Sequence, residues 1–85
     1  MRGLAVELAR HKVRCNSLLP GWTDTELLAG AKTHEKFVTA TIQRTPVRRW
    51  ATLHDFETVG AFLGDPSLVF HNGDSTVVDG GYTIF

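Results

Sequence analysis

Two strand-like segments, far apart in the sequence, constrain the fold of this chain more than any other feature. Val13–Leu19 is apolar at both ends and stops at Pro20-Gly21, because proline has no N–H with which to continue a strand ladder. Ser75–Val78 lies between Asn72-Gly73-Asp74 and Asp79-Gly80-Gly81, which are both typical turn sequences. The long connection has helical character, so we expect parallel strands and a right-handed crossover. The sequence therefore predicts an α/β fold.

Helical spacing predicts the elements that flank the first strand. Apolar residues recur on one face over 4–9, which predicts a short amphipathic helix from Met1 to about Arg10. This helix starts without a capping residue, so we expect the natural helix to begin further upstream. A second helix is predicted from Asp24 or Thr25 through Ala31, and Thr33–Arg44 either continues it or forms another helix.

A second helical pattern precedes the last strand. Thr52 and Asp55 match the capping box that opens a helix, and Gly64-Asp65-Pro66 is typical of a helix end. Apolar residues form one stripe over Leu53–Leu63, which predicts that this face lies in the core. Gly60 lies within the stripe and lowers helix propensity by about 1 kcal/mol relative to alanine, so we expect a close neighbour there.

Two connecting segments have less regular patterns. Thr45-Pro46 interrupts the helical pattern, and Pro46–Trp50 is predicted to be an extended connector. Tyr82–Phe85 either extends the last strand or packs beneath it.

Composition excludes several classes of function. The chain has 85 residues, enough for one small domain, and its nine basic and nine acidic side chains give a formal net charge of zero. This balance argues against nucleic acid or an anionic membrane as the main partner. Cys15 is the only cysteine, so no intramolecular disulfide forms, and we expect a buried structural thiol. No apolar run approaches the roughly 20 residues that cross a bilayer, and a cytoplasmic location is expected.

Five motifs, in the right order, resemble the C-terminal portion of a short-chain dehydrogenase/reductase (SDR). They resemble the end of the helix that carries the family's catalytic tyrosine and lysine, the sixth strand, the Pro-Gly-x-x-x-Thr loop beneath the nicotinamide, the segment before the last long helix, and the final strand with its Asp-Gly-Gly. The matching segments are Gly3–Arg10, Val13–Asn16, Pro20–Thr25, Pro46–Trp50 and Gly73–Gly81. The resemblance covers essentially the whole chain.

The resemblance implies a fold and a chemistry. Residues 1–85 would form the C-terminal third of a Rossmann-type domain, with two parallel strands and helices from a doubly wound sheet. The cofactor would be NAD or NADP, and the reaction would be hydride transfer between nicotinamide and a small carbonyl or secondary alcohol. In the family, a tyrosine with a pKa lowered by a neighbouring lysine transfers the proton, and a serine orients the substrate.

The chain departs from the family pattern at the catalytic residues. Tyr82 is the only tyrosine, and all three lysines precede it, so there is no Tyr-x-x-x-Lys. A Gly-x-x-x-Gly-x-Gly phosphate loop is also absent from the sequence, and Ser17 lies in the sixth-strand segment instead of the catalytic serine's place. No residue is therefore assigned a catalytic role, and we expect this chain alone to be inactive.

The loop after the first strand contains the candidate cofactor-binding residues. The resemblance implies that Pro20 and Gly21 allow close approach to the nicotinamide, and that the Thr23 backbone binds its carboxamide. The Thr25 hydroxyl would face the carboxamide or pyrophosphate, and Trp22 would lie beside the ring or at the substrate entrance. A strand-ending turn followed by a helix cap would require the same residue types. The four histidines share no ligand spacing, so no metal site is expected.

Two functional interpretations follow from the sequence. In the first, the chain is part of an NAD(P)-dependent oxidoreductase that forms a homo-oligomer through the last helix and strand, as the family resemblance implies. In the second, it is a non-catalytic α/β module that acts by association, or the product of a truncated gene. A two-stranded sheet with open apolar edges is marginal on its own, so we expect the isolated polypeptide to be unstable or aggregated.

Overall fold

A computed structural model describes residues 1–26, 29–30 and 33–85. Helix α1 (Arg2–Leu8) continues into a 3₁₀ turn and precedes strand β1 (Ser17–Pro20). Helix α2 (Glu35–Gln43) and helix α3 (Glu57–Leu63) lie between β1 and strand β2 (Ser75–Val78). The fold is α/β, as the sequence predicts.

The two strands pair directly and run in parallel, which confirms the expected parallel pairing. Ser17 is opposite Ser75 and Pro20 is opposite Val78, so the strands begin and end together. Their carboxyl ends therefore lie side by side at one edge of the sheet. In open α/β sheets, this is the edge where ligands bind.

The predicted bounds of the first strand were wrong at its start. Val13–Asn16 is not in the ladder, because its contacts with the turn before β2 mix backbone and side-chain groups. The Gly73 N–H donates to the Cys15 carbonyl at 2.9 Å, but two neighbouring bonds use side-chain amides. Asn72 Oδ1 accepts a hydrogen bond from the Cys15 N–H at 2.9 Å, and Asn16 Oδ1 accepts one from the Asp74 N–H at 2.9 Å. The Cys15 thiol is half-buried, so it is less enclosed than expected.

The long connection between the strands also differs from expectation. Asp24 and Thr25 are not helical, and part of the helix predicted through Ala31 lies outside the described residues. The alternative of a separate later helix matches α2. The extended connector predicted over Pro46–Trp50 was wrong, since the Arg48 N–H donates to the Thr45 carbonyl at 2.7 Å and closes a turn.

The predicted capping box is present, but the apolar stripe that follows it does not form a core. Thr52 and Asp55 cap a 3₁₀ turn that leads into α3. Leu53 is 68% exposed, and α3 has no buried residue. A Cβ on Gly60 would find nothing within 4 Å, so the expected close neighbour is absent from the described residues. Ala5, Trp50, Thr41 and Thr45 are the buried residues of the described chain.

The last segment packs at the end of the sheet without extending it. Tyr82–Ile84 forms a 3₁₀ turn directly after the Asp79-Gly80-Gly81 sequence. Gly80 and Gly81 both have positive φ, which accounts for glycine at these two positions.

Candidate functional site

The candidate loop, Pro20–Thr25, leaves the sheet at the shared carboxyl edge. Pro20 is the last residue of β1, and the Gly21 N–H donates to the Val78 carbonyl at 3.0 Å. The loop therefore starts beside the end of β2. This location agrees with the position of ligand-binding loops in open α/β sheets.

Gly21 is required by a contact with the neighbouring strand end. A Cβ built on Gly21 would lie 2.7 Å from the Asp79 Cα and 2.8 Å from the Asp79 Cβ. Real Cβ atoms do not approach backbone atoms this closely. Packing against Asp79 therefore explains the glycine, independently of any cofactor.

Trp22 lies within a group of four aromatic side chains. Its ring is stacked on Trp50 with centroids 6.2 Å apart, and it meets Phe37 edge-on at 5.1 Å and Tyr82 edge-on at 6.4 Å. We call these four residues the aromatic cluster. It joins the loop to α2 and to the C-terminal turn, so Trp22 has a packing role that sequence reasoning missed. The two tryptophans are separated by a helix in the sequence, and no spacing pattern connects them.

The backbone on each side of Thr23 is bound to Ala51. The Ala51 N–H donates to the Trp22 carbonyl at 2.8 Å, and the Asp24 N–H donates to the Ala51 carbonyl at 2.8 Å. This is a parallel bridge between Thr23 and Ala51. In a parallel bridge, the flanking peptide groups face the partner, so the N–H and C=O of Thr23 itself point the other way.

The polar groups of the two loop threonines differ. The Thr23 hydroxyl donates to the Gly21 carbonyl at 2.9 Å and is used within the loop. Among the described residues, no hydrogen bond involves the Thr23 N–H, the Thr23 C=O or the half-buried Thr25 hydroxyl. The Thr23 N–H and C=O are an adjacent donor and acceptor, and they match a primary carboxamide, which presents one acceptor and one donor group.

An open cavity of about 470 Å³ lies beside the start of the loop. Its lining residues are Leu19, Pro20, Gly21, Trp22, Val77, Asp79, Tyr82 and Thr83. Most of the wall is aliphatic or aromatic, which suits a flat ring better than a phosphate. The residues present therefore fit the nicotinamide half of a dinucleotide, and the sequence offers no glycine-rich loop for its phosphates.

The Asp79 carboxylate lines the cavity but is used by its own turn. Asp79 Oδ2 accepts hydrogen bonds from the Thr83 hydroxyl at 2.7 Å and the Thr83 N–H at 3.0 Å, and Oδ1 accepts one from the Gly81 N–H at 2.9 Å. The Thr83 hydroxyl bond is the main cause that holds the pKa of Asp79 below its usual value. The turn is thus stabilised by an ionised carboxylate.

Two polar contacts next to the aromatic cluster were not foreseen from the sequence. The indole N–H of Trp50 donates to the Thr41 hydroxyl at 2.8 Å, and both residues are buried. The Arg44 guanidinium lies 4.6 Å from the Tyr82 ring centroid and donates to its hydroxyl at 3.3 Å. Tyr82 therefore packs between Trp22 and Arg44, in agreement with the expectation that it packs.

The described residues contain neither a metal site nor a membrane-spanning helix. Residues 1–26, 29–30 and 33–85 contain no group of three or more His, Cys, Asp or Glu side chains that could hold a metal ion. Within the same ranges, every helix is too short or too polar to cross a membrane.

Comparisons with known proteins found a family and relatives that match nearly the whole chain. A family model described as enoyl-(acyl carrier protein) reductase matches residues 1–83. The chain is 35% identical over 83 residues to 5-keto-D-gluconate 5-reductase of Escherichia coli K12, covering 98% of this chain and 33% of the reductase. It is 32% identical over 83 residues to gluconate 5-dehydrogenase of Gluconobacter oxydans, covering 98% of this chain and 32% of that enzyme. The chain thus spans about a third of the length of these curated relatives.

Solved structures give the same result. A gluconate 5-dehydrogenase from Burkholderia cenocepacia, solved in complex with NADP and tartrate, superposes with a TM-score of 0.91 at 31% identity and covers 99% of this chain and 33% of that one. These neighbours are Rossmann-fold enzymes, so the two strands and three helices described above correspond to part of a Rossmann-type sheet. The chain belongs to the short-chain dehydrogenase/reductase family.

Proposed function

We propose that these residues form the nicotinamide-side part of an NAD(P)-dependent oxidoreductase, a partial Rossmann-type domain that acts in the cytoplasm. The observation that carries this proposal is the backbone of Thr23, whose N–H and C=O point away from Ala51 on a loop at the carboxyl edge of the sheet. This arrangement suits the carboxamide of a nicotinamide ring. When bound, that ring would donate or accept the hydride.

The five loop residues would have separate roles in binding. Pro20 and Gly21 keep the start of the loop close to the sheet, and Thr23 would orient the carboxamide through its peptide groups. The Thr25 hydroxyl would bind the carboxamide or the pyrophosphate. Trp22, fixed in the aromatic cluster, would supply a rigid apolar wall. None of these side chains is placed to transfer the proton, and the sequence has no Tyr-x-x-x-Lys, so we expect no turnover by this chain alone.

The names of the relatives suggest the class of substrate. The E. coli and G. oxydans relatives are named for the 5-keto and 5-hydroxy forms of gluconate, and the B. cenocepacia structure contains the hydroxy acid tartrate. We therefore propose a small polyhydroxylated ketone or secondary alcohol as the substrate of the complete enzyme.

A chimeric enzyme would test the proposed binding role. In this chimera, residues 1–83 replace the matching third of the E. coli 5-keto-D-gluconate 5-reductase, and NADPH- and NADH-dependent reduction of 5-keto-D-gluconate is measured. We expect activity in the chimera and a raised cofactor KM after Thr23→Pro, which removes the N–H, and after Thr25→Val, which removes the hydroxyl. Thr39→Val on the exposed side of α2 is the matched control and should leave KM unchanged.

The same experiment can reject the proposal. A folded, monodisperse chimera that binds neither NADPH nor NADH would contradict a cofactor role for the loop. Equal KM values for the Thr23, Thr25 and Thr39 variants would show that the loop backbone and hydroxyl do not touch the cofactor.

Exposed apolar side chains favour association with another chain, which both interpretations of the sequence include. Phe70 is 100% exposed, Ile84 is 88% exposed and Val69 is 78% exposed. In the complete enzyme, the last helix and strand would form a homo-oligomer surface. For the isolated polypeptide, we expect oligomers or aggregates in analytical ultracentrifugation. A monodisperse monomer with a cooperative thermal transition would contradict this expectation.

A further inference from the structure

The orientation of the Thr23 peptide groups depends on the position of Ala51. Both hydrogen bonds that fix the loop around Thr23 end on the Ala51 backbone, at 2.8 Å each. A shift of Ala51 would move the Trp22 carbonyl and the Asp24 N–H with it. The direction of the Thr23 N–H and C=O would then change as well, because they belong to the same two peptide units.

Ala51 is in turn held between two fixed neighbours. On one side, Trp50 is 8% exposed, stacks on Trp22 and donates its indole N–H to the Thr41 hydroxyl at 2.8 Å. On the other side, the Thr52 N–H donates to Asp55 Oδ2 at 2.7 Å, and Arg49 pairs with the same carboxylate at 2.7 Å. The short segment around Ala51 therefore has little freedom to move.

The bond between Trp50 and Thr41 connects this segment to α2. Thr41 is 6% exposed, and its single hydroxyl hydrogen is shared between two carbonyls of the preceding turn of the helix, 3.0 Å from Phe37 O and 2.9 Å from Val38 O. These carbonyls orient the hydroxyl so that a lone pair faces the indole. A buried N–H that loses its acceptor is costly, so the bond strongly selects one position of the Trp50 ring.

We infer that Trp50 is a positioning residue for the cofactor, and that its hydrogen bond to Thr41 sets the Thr23 backbone for the nicotinamide carboxamide. The inference rests on the proposed function of the loop. It adds that α2, which follows the loop in the sequence, controls nicotinamide binding through one buried side-chain pair. Neither Trp50 nor Thr41 is expected to touch the cofactor.

The test uses the 85-residue chain and reduced nicotinamide mononucleotide, which lacks the adenine half of the cofactor. Trp22 and Trp50 are the only tryptophans, so an exciton couplet in circular dichroism reports their stacking directly. Binding is followed through the chemical shift of the Thr23 amide in a titration. The same titrations in the chimera described above decide the question if the isolated chain aggregates.

Two substitutions remove the same bond from its opposite ends. Thr41→Val deletes the acceptor and Trp50→Phe deletes the donor, while Thr39→Val on the same helix is the control. We expect each of the first two to weaken binding of the mononucleotide about threefold to tenfold, and the control to change nothing. The double variant Thr41→Val/Trp50→Phe should be no weaker than either single variant, because the two changes remove one shared interaction.

Each outcome has a distinct meaning. The proposed function fails if the parent protein shows the tryptophan exciton couplet but the mononucleotide does not change the chemical shift of its Thr23 amide. If the parent binds and both variants bind equally well with native amide dispersion, the positioning role of Trp50 is overturned. If the double variant is weakened by the product of the two single effects, the two residues act separately and the inference is also overturned.

Discussion

The backbones of Gly21 and Asp79 are so close that a Cβ built on Gly21 would lie 2.7 Å from the Asp79 Cα. This contact holds the start of the candidate loop against the end of β2. The Gly21 N–H adds a hydrogen bond of 3.0 Å to the Val78 carbonyl, one residue before Asp79. The loop and the C-terminal turn therefore behave as one packed unit at the carboxyl edge of the sheet.

We expect Gly21→Ala to destabilise the protein by about 1–3 kcal/mol, since the added methyl group meets main-chain atoms that cannot rotate away. Urea unfolding followed by tryptophan fluorescence measures the change. Gly3→Ala in α1 is the steric control, because a Cβ at Gly3 meets nothing within 4 Å, and this variant should be at least as stable as the parent. A Gly21→Ala protein as stable as the parent would show that the contact with Asp79 is looser than described.

Gly60→Ala should have the opposite effect. A Cβ on Gly60 would meet nothing within 4 Å, and alanine restricts the unfolded chain and favours the helix. We expect the free energy of unfolding to be about 0.5–1 kcal/mol higher in this variant than in the parent. Urea unfolding at several protein concentrations measures the change. The measurement also tests association through α3, because a methyl group at a close helix contact between chains would weaken the oligomer. A loss of stability that depends on protein concentration would locate a partner on this face.

The parts of the fold that short-range chemistry controls could be predicted from the sequence. The bounds of β2 are confirmed because turn residues define both of its ends, and the Thr52 capping box is confirmed because its two members are local. The start of β1 was wrong because the Cys15 N–H pairs with the side chain of Asn72, in a turn distant in the sequence, and not with the backbone of a strand. Val13 and Cys15, together with Leu18 and Leu19, favoured a longer strand, and nothing local indicated Asn72.

The candidate site was predictable in its location but not in its construction. The Pro20-Gly21 sequence and the parallel topology place the loop at the carboxyl edge of the sheet. The bridge to Ala51 and the aromatic cluster around Trp22 depend on residues brought together by α2 and the turn after it. Those contacts are long-range, so neither helical periodicity nor strand alternation contains them.

Asp55 should make the stability of the chain sensitive to acid. Two hydrogen bonds from Arg49, at 2.7 and 2.9 Å, are the main cause that holds the pKa of the Asp55 carboxyl well below its model-peptide value of 3.8, with a further contribution from the Thr52 N–H. Because the pKa is lower in the folded state, this contribution is fully present above about pH 4 and is lost as the pH falls through the unfolded and then the folded value.

Asp55→Asn tests this pH dependence. We expect the variant to be less stable than the parent at neutral pH and to lose less stability below about pH 4, so that the two curves converge in acid. Thermal unfolding across a pH series measures both curves. Glu7→Gln is the control, since Glu7 is exposed and forms no ion pair within the described part of the chain. Parallel curves for parent and Asp55→Asn would rule out Asp55 as the source of the acid sensitivity.

Asn72 should stabilise the attachment of α1 to the segment before β1. Its Nδ2 group donates to the Ala5 carbonyl at 3.0 Å, while its Oδ1 accepts from the Cys15 N–H at 2.9 Å, so one side chain binds both α1 and the segment before β1. Asn72→Ala leaves both backbone groups without this partner and is expected to cost about 1–2 kcal/mol.

Hydrogen exchange measures the effect of Asn72→Ala at each amide. The Cys15 N–H should lose protection, while the Gly21 N–H in the candidate loop should keep it. Thr58→Ala on the exposed face of α3 is the control. If Asn72→Ala accelerates exchange equally at Cys15 and Gly21, the substitution acts through global unfolding, and the two hydrogen bonds of Asn72 have no local role at Cys15.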